Sequence, residues 1–326
     1  WPLHFFTAEE LNQIEVPTPS EVVRNEVGTP SVAEASAIAA SESELLIPKQ
    51  IYRDSSGACT VAIARAEREY NPNPGHLYLI GSGPGALNQL TLAARAALTR
   101  CDAIIGYQLY LDLLQPLFHP QQLILGSPIG QEVRRAERAI ALAKRGLTVG
   151  VVSSGDCGIY GMAGLVLECL AKQGWDGQTP GVEVLPGISA LQATAARIGA
   201  PLMHDFCAIS LSDLLVPWEL IERRLEAAAR ADFATALYNP RSRQRQRGIE
   251  IALEIFRRER SPTTTVAIAK SVYRPEEEIR ILTLGEVDPT TIDMLSVVLI
   301  GNTKTFVHAG RAIAPRGYLS KVESNV

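Results

Sequence analysis

The chain has 326 residues, 46% of them hydrophobic and 20% charged, with 31 Lys and Arg against 35 Asp and Glu for a formal charge of -4. That balance excludes intrinsic disorder, which needs low hydrophobicity with high net charge, and it gives no overall attraction to nucleic acid or an anionic membrane. No apolar run approaches a membrane span and no basic segment opens the chain, so the expectation is a soluble, cytoplasmic protein with no nucleic-acid and no membrane partner. Cys59, Cys101, Cys157, Cys169 and Cys207 are odd in number and never spaced C-x-x-C. They read as small buried thiols in a reducing compartment, with no metal site. The opening Trp1, in place of Met, suggests a segment of a longer chain.

In chain order, Thr7 and Glu10 have capping-box spacing and predict a first helix. A second begins near Pro19-Ser20, and a third follows Thr29-Pro30-Ser31, where 33–40 is rich in helix formers. Strands at 45–52 and 59–64 flank Asp54-Ser55-Ser56-Gly57, a hairpin turn. Asn71-Pro72-Asn73-Pro74-Gly75 sustains neither helix nor central strand and marks a boundary. Beyond it, strands at 77–80, 103–106, 148–153 and 182–185 alternate with helices at 91–98, 131–144 and 163–172, the pattern of βαβ units on a mostly parallel sheet. After Pro186-Gly187 come a helix at 190–198 and strands at 207–211, 234–238, 265–269 and 296–300, with helices at 219–229 and 248–258. The fold class is therefore α/β, divided into 1–70, 75–188, 189–313 and a tail at 314–326.

Gly81-Ser82-Gly83-Pro84-Gly85-Ala86 satisfies G-x-G-x-x-A after a strand, the fingerprint of a dinucleotide site. Such a site also needs an acidic residue at the end of the second strand, whereas Asp102 precedes that strand. The next helix, moreover, starts several residues too late to face a pyrophosphate. A nucleotide-dependent oxidoreductase is thus the weaker alternative. Two further glycine loops, at Ser153-Ser154-Gly155-Asp156-Cys157-Gly158 and Pro186-Gly187-Ile188-Ser189-Ala190, should reach the same sheet edge, where open α/β sheets bind ligands. Each loop alone is a tight turn; together they favour a site.

These stretches resemble the motifs of the tetrapyrrole (class III) S-adenosylmethionine-dependent methyltransferases: His76 to Gly85 with Leu90-Thr91, Ser154-Gly155-Asp156 with Ile159-Tyr160, and Pro186 to Ala190. Gly106-Tyr107, Tyr110-Leu111-Asp112, Tyr160 to Ala163, Ile209 to Leu215 and Tyr238-Asn239-Pro240-Arg241-Ser242 narrow the resemblance to the ring-contracting, precorrin-3B C(17)-methylating branch, over roughly 75–311. Ala86 departs from it, since many members carry Asp there. Pro2 to Leu11, Pro19 to Val23, Gly28 to Glu34 and Leu46 to Gln50 resemble the C-terminal domain of the CbiG-type cobalt-precorrin-5A hydrolases.

The resemblance implies two consecutive α/β domains with S-adenosyl-L-methionine in the cleft between them, a partial α/β segment in front, and a homodimer. The implied cofactor contacts are Pro84, Gly155, Asp156, Ile159, Tyr160, Ser189 and Ala190, with Leu211, Tyr238, Asn239 and Ala267 around adenine and ribose. Asp156 is equally a turn or N-cap residue. The implied substrate is a precorrin, a polycarboxylated tetrapyrrole, methylated at C-17 or, alternatively, at another ring position. Arg241, Arg243, Arg245 and Arg247 are guanidinium forks suited to carboxylates. On a helix Arg241 and Arg245 would share one stripe and Arg243 and Arg247 another, so only one pair would face the substrate, and Arg241 and Arg245 are taken as that pair; the other reading is a solvated face. Lys270 and Arg274 are further cations of that sort. Asp213, with His204 and Asp205 nearby in sequence, is the candidate for acid/base or orienting work, or else the N-cap of the next helix.

Overall fold

The computed structural model describes residues 4–55, 57–66, 74–242 and 245–319. The first 66 residues begin with three short helices, α1 (Ala8–Asn12), α2 (Glu21–Val27) and α3 (Val32–Ser41), capped by Thr7, Ser20 and Ser31. The Thr7–Glu10 pair forms both halves of its capping box. An antiparallel hairpin, β1 (Leu45–Asp54) and β2 (Gly57–Ala64), packs against α3.

The next unit is built from β3 (His76–Gly81), α4 (Leu92–Arg100), β4 (Ala103–Tyr107), α5 (Gln108–Leu114), β5 (Leu123–Ser127), α6 (Glu132–Lys144), β6 (Thr148–Ser153), α7 (Ala163–Lys172) and β7 (Gly181–Leu185). The strands pair in parallel in the order β5-β4-β6-β3-β7. Period-two alternation sorts the central strand between two cores. Leu77 and Leu79 meet α6 and α7, whereas Tyr78 and Ile80 face α4. Because both faces are covered, β3 reads as one continuous apolar run.

α8 (Ala190–Ile198) opens the second half and leads through β8 (Gly199–Ala200), β9 (Phe206–Ser210), α9 (Trp218–Arg230), β10 (Ala234–Tyr238), α10 (Arg247–Glu259), β11 (Thr265–Lys270), β12 (Glu278–Thr283), β13 (Ser296–Ile300), β14 (Phe306–His308) and β15 (Arg311–Ile313). The main sheet runs β12-β11-β13-β10-β9, with β9 and β10 parallel and the remaining neighbours antiparallel; β14-β15-β8 form a small three-stranded sheet. Helices α9 and α10 cover one face of the main sheet, and α8 packs on the other through Leu191 and Ile198. The chain therefore has two α/β units with a small α/β segment before them.

Several elements carry little sequence signal. α5 follows β4 with no side-chain cap, β5 and β12 are half-exposed edge strands, and β8, β14 and β15 have two or three residues each. Among the described residues, no helix is long and apolar enough to cross a membrane, and no group of three His, Cys, Asp or Glu could hold a metal ion.

Candidate functional site

Adjacent parallel strands β6, β3 and β7 end at one edge, and their three loops touch backbone to backbone. Gly83 and Gly155 exchange hydrogen bonds of 3.0 and 2.8 Å, both in the left-handed region with φ of 68° and 67°. A Cβ on Gly187 would lie 2.1 Å from the Gly155 carbonyl oxygen, and one on Gly81 2.6 Å from the Gly187 nitrogen. Glycine is required here because main chain packs on main chain, leaving no room for a side chain. Asp156 joins two of the loops: Oδ1 accepts from Gly158 N at 2.8 Å, closing a turn, and Oδ2 accepts from Gly187 N at 3.0 Å. Cys157, beside it, is no nucleophile. Its Sγ donates to the Leu79 and Leu185 carbonyls, and burial pushes the thiol up to about 11.

The opposite wall comes from the second half. Ser189 caps α8 in a capping box with Gln192, and Tyr238 Oη accepts from Leu191 N at 2.8 Å. Tyr160, at φ 54°, reaches across to donate its hydroxyl to the Ala208 carbonyl at 3.0 Å, with its ring 5.1 Å from that of Tyr238. Burial raises both phenols above their ordinary value, so they stay neutral donors and acceptors. Asn239, also left-handed at φ 51°, donates to Ser210 Oγ at 3.0 Å. Between the walls lies a cleft of about 190 Å³. Pro84, Gly155, Asp156, Ile159 and Tyr160 line one side, with Ser189, Ala190, Tyr238 and Asn239 on the other.

Residues 76–288 match the family described as Tetrapyrrole (Corrin/Porphyrin) Methylases. The chain belongs to the tetrapyrrole methylase family. Residues 1–64 match a second family, Cobalamin synthesis G C-terminus. The methylase is 49% identical over 253 residues to a cobalt-factor III methyltransferase of Priestia megaterium, covering 77% of this chain and 46% of that protein. It thus spans about half the length of that relative. It is also 45% identical over 242 residues to a probable cobalt-factor III C(17)-methyltransferase of Salmonella typhimurium, covering 74% of this chain and 99% of that one. The crystal structure of the methyltransferase CobJ superposes with a TM-score of 0.71 at 39% identity, over 74% of this chain and 100% of that one.

Two expected cofactor contacts stand outside the cleft of this methylase. Ala267 lies mid-strand in β11 and faces α8 in the core; Ala269, two residues on and on the same face, reaches the cleft instead. Leu211 is buried under α9 and α10 and touches a neighbouring depression. Tyr110, Ser154, Ser271, Val272, Arg274 and 294–297 complete the lining. The last of these enter because β13 runs antiparallel to β11, so its start meets the end of β11 at the Lys270–Ser296 pair. A strand pattern in sequence carries no direction.

The arginine run departs from the helical expectation. α10 begins only at Arg247, and Ser242 and Arg245 exchange backbone hydrogen bonds of 2.9 and 3.3 Å, so Arg241 and Arg245 share no helical stripe and line different depressions. Arg241 donates to Pro289 O at 2.9 Å and Gln246 Oε1 at 3.0 Å, lining a trough of about 680 Å³ that shares Met294 and Leu295 with the cleft. Arg245 donates to Ser212 Oγ at 2.7 Å, stands 3.6 Å from Asp213 Oδ1, and lines a depression of about 660 Å³ with Leu211, Asp213 and Trp218. Arg243 lies outside the described residues. Asp213 is not an N-cap, because α9 starts later, at Trp218 after Pro217. Lys270 is paired with Asp293 at 2.7 Å, and His204 Nε2 contacts Pro315 O at 2.8 Å. Asp102 accepts from Thr148 N at 2.7 Å at the start of the strands, the edge opposite the glycine loops.

Proposed function

We propose that the chain is an S-adenosyl-L-methionine-dependent C-methyltransferase that methylates C-17 of precorrin-3B, or its cobalt-bearing counterpart, with ring contraction, in cobalamin biosynthesis. The observation that carries this reading is the single cleft in which the three glycine loops meet Ser189, Tyr238 and Asn239. The name of the Salmonella relative supports the C-17 position, and the names of the Priestia and Salmonella relatives both favour the cobalt-bearing substrate. When bound, S-adenosyl-L-methionine supplies a methyl group already activated on a sulfonium, so the protein's share of the work is alignment and exclusion of water. A cradle of main chain with two neutral tyrosines, and with the Asp156 carboxylate taken up by the Gly158 and Gly187 amides, suits that division.

In this reading Pro84, Gly155, Asp156, Ile159, Tyr160, Ser189, Ala190, Tyr238 and Asn239 hold the cofactor. Asp156 fixes the spacing of the second and third loops through Gly158 and Gly187. The trough beside Met294 and Leu295 takes the macrocycle, with Arg241 at its wall for a ring carboxylate. Arg245 and Asp213 act as a pair one depression away, Asp213 orienting the guanidinium or moving a proton during contraction. Residues 75–188 and 189–313 form the two halves of the catalytic unit, which works as a homodimer, and 1–70 are an appended segment of a second activity.

Calorimetric titration with S-adenosylhomocysteine and, separately, with NAD tests the cofactor. The expected outcome is saturable binding of the first and none of the second; the reverse would overturn the proposal. Labelled methyl donor with candidate precorrins, followed by the mass and position of the added methyl, tests the substrate. Label at a position other than C-17 would reassign it.

A further inference from the structure

Arg274 belongs to the second half of the molecule, on the loop between β11 and β12, yet two of its donors end on the first half. Nε donates to the Pro84 carbonyl at 2.9 Å and Nη2 to Ser154 Oγ at 3.1 Å. Both acceptors sit on glycine loops and line the cleft, as Arg274 does. The arginine stem lies on Gly85, where a Cβ would come within 2.8 Å of Arg274 Cγ and where φ is 141°. An alanine there would push the stem away and strain the backbone.

The loop that presents Arg274 is itself held in an uncommon conformation. Ser271 and Tyr273 both have positive φ, at 48° and 60°. Such residues persist only where surroundings over-determine them, and here those surroundings are visible. Glu277 accepts from Tyr273 N at 2.7 Å and is gripped by Arg197 of α8, whose guanidinium also lies 5.2 Å from the centre of the Tyr273 ring. A chain of contacts thus runs from α8 through Glu277 and Tyr273 to Arg274, and from there to the first and second glycine loops.

We infer that Arg274 is a positioning residue, a latch between the two halves that sets the width of the cleft by fixing the Pro84 carbonyl and the Ser154 hydroxyl. This rests on the cleft being the cofactor site, as proposed above. A planar guanidinium can hold two acceptors on separate loops at once, which an ammonium does with poorer geometry. The latch acts through the loops rather than on the reacting atoms.

The test uses the whole chain with Arg274→Met, Arg274→Lys, Ser154→Ala and the Arg274→Met/Ser154→Ala double variant. Binding of S-adenosylhomocysteine should weaken on the order of 10- to 100-fold in Arg274→Met, from the loss of two charge-assisted hydrogen bonds, and by less in Arg274→Lys and Ser154→Ala. The double variant should bind no more weakly than Arg274→Met alone, since the two groups act as one unit; additive losses would overturn the latch. Amide exchange over 81–90 should accelerate in Arg274→Met without ligand. Unchanged exchange there overturns the latch whatever the wild type binds, whereas a wild type that ignores S-adenosylhomocysteine overturns the cofactor reading. Should Arg274→Met fail to fold, Arg274→Lys and Ser154→Ala carry the same comparison, and wild-type affinity and exchange in both would reject the inference.

Discussion

Glu34 has no exposed surface, yet its carboxylate is fully occupied: it accepts from Thr18 N at 3.1 Å, Thr18 Oγ1 at 2.8 Å and Lys49 N at 2.9 Å, tying the α1–α2 linker and β1 to α3. Burial pushes its pKa up, but the bonds from Lys49 and Thr18 outweigh burial and leave it below the ordinary glutamate value of 4.5. A depressed carboxylate contributes stability that is present above pH 4.5 and is lost as pH falls through the lower folded value. Glu34→Gln should therefore cost about 2 kcal/mol at neutral pH, read as faster amide exchange over 18–49, and should abolish the acid-dependent part of that protection. Equal acid sensitivity in wild type and variant would assign the effect elsewhere. In sequence, Glu34 is only a helix-favouring residue three positions after Ser31, and its partners are 15 and 16 residues away. Arg260 is hidden in the same way. At the end of α10 it looks like a solvated cation, but it is buried and donates to the carbonyls of Ala228, Phe233 and Gly301, groups that only the tertiary fold brings together.

Elements were legible wherever periodicity and caps agreed. Thr7, Ser20, Ser31, Thr91 and Ser189 each accept a bond from an amide of their own helix, because capping is a local interaction written within four residues. The meeting of the three glycine loops could also be anticipated, since parallel strands linked by helices deliver successive loops to one edge. What local pattern does not contain is strand direction and order: the antiparallel β13 brings 294–297 to the cleft, and the late start of α10, at Arg247, separates Arg241 from Arg245. The contact between loops leads to a paired prediction. Gly187→Ala places a methyl 2.1 Å from the Gly155 oxygen, so backbone must move, and a loss of about 3 kcal/mol together with S-adenosylhomocysteine binding is expected. Gly164→Ala, in α7 with nothing within 4 Å of the added methyl, should instead stabilise by about 0.5–1 kcal/mol and leave binding intact. Thermal unfolding and titration of the two variants check both, and tolerance of Gly187→Ala would mean that the loops are not held by backbone contact.

At the scale of the molecule, a net charge of -4 gives a polycarboxylate no general attraction, so the proposed substrate would have to be met by placed cations, for which Arg241 and Arg245 are the candidates. The two α/β units are coupled through one site, because the cleft takes Pro84 and Asp156 from one sheet's loops and Tyr238 and Asn239 from the other's. A ligand that binds only the assembled cleft must stabilise both sheets together. At 100 times its Kd, S-adenosylhomocysteine should add about 2.7 kcal/mol by mass action, a rise of roughly 5–10 °C in Tm for a unit of this size. Amide exchange locates the gain: β3 and β6 in the first sheet and β10 and β11 in the second should gain protection at the same ligand concentration. Protection confined to the first sheet would show that the second half does not hold the ligand, and would detach Tyr238 and Asn239 from the site while leaving the glycine cradle in place.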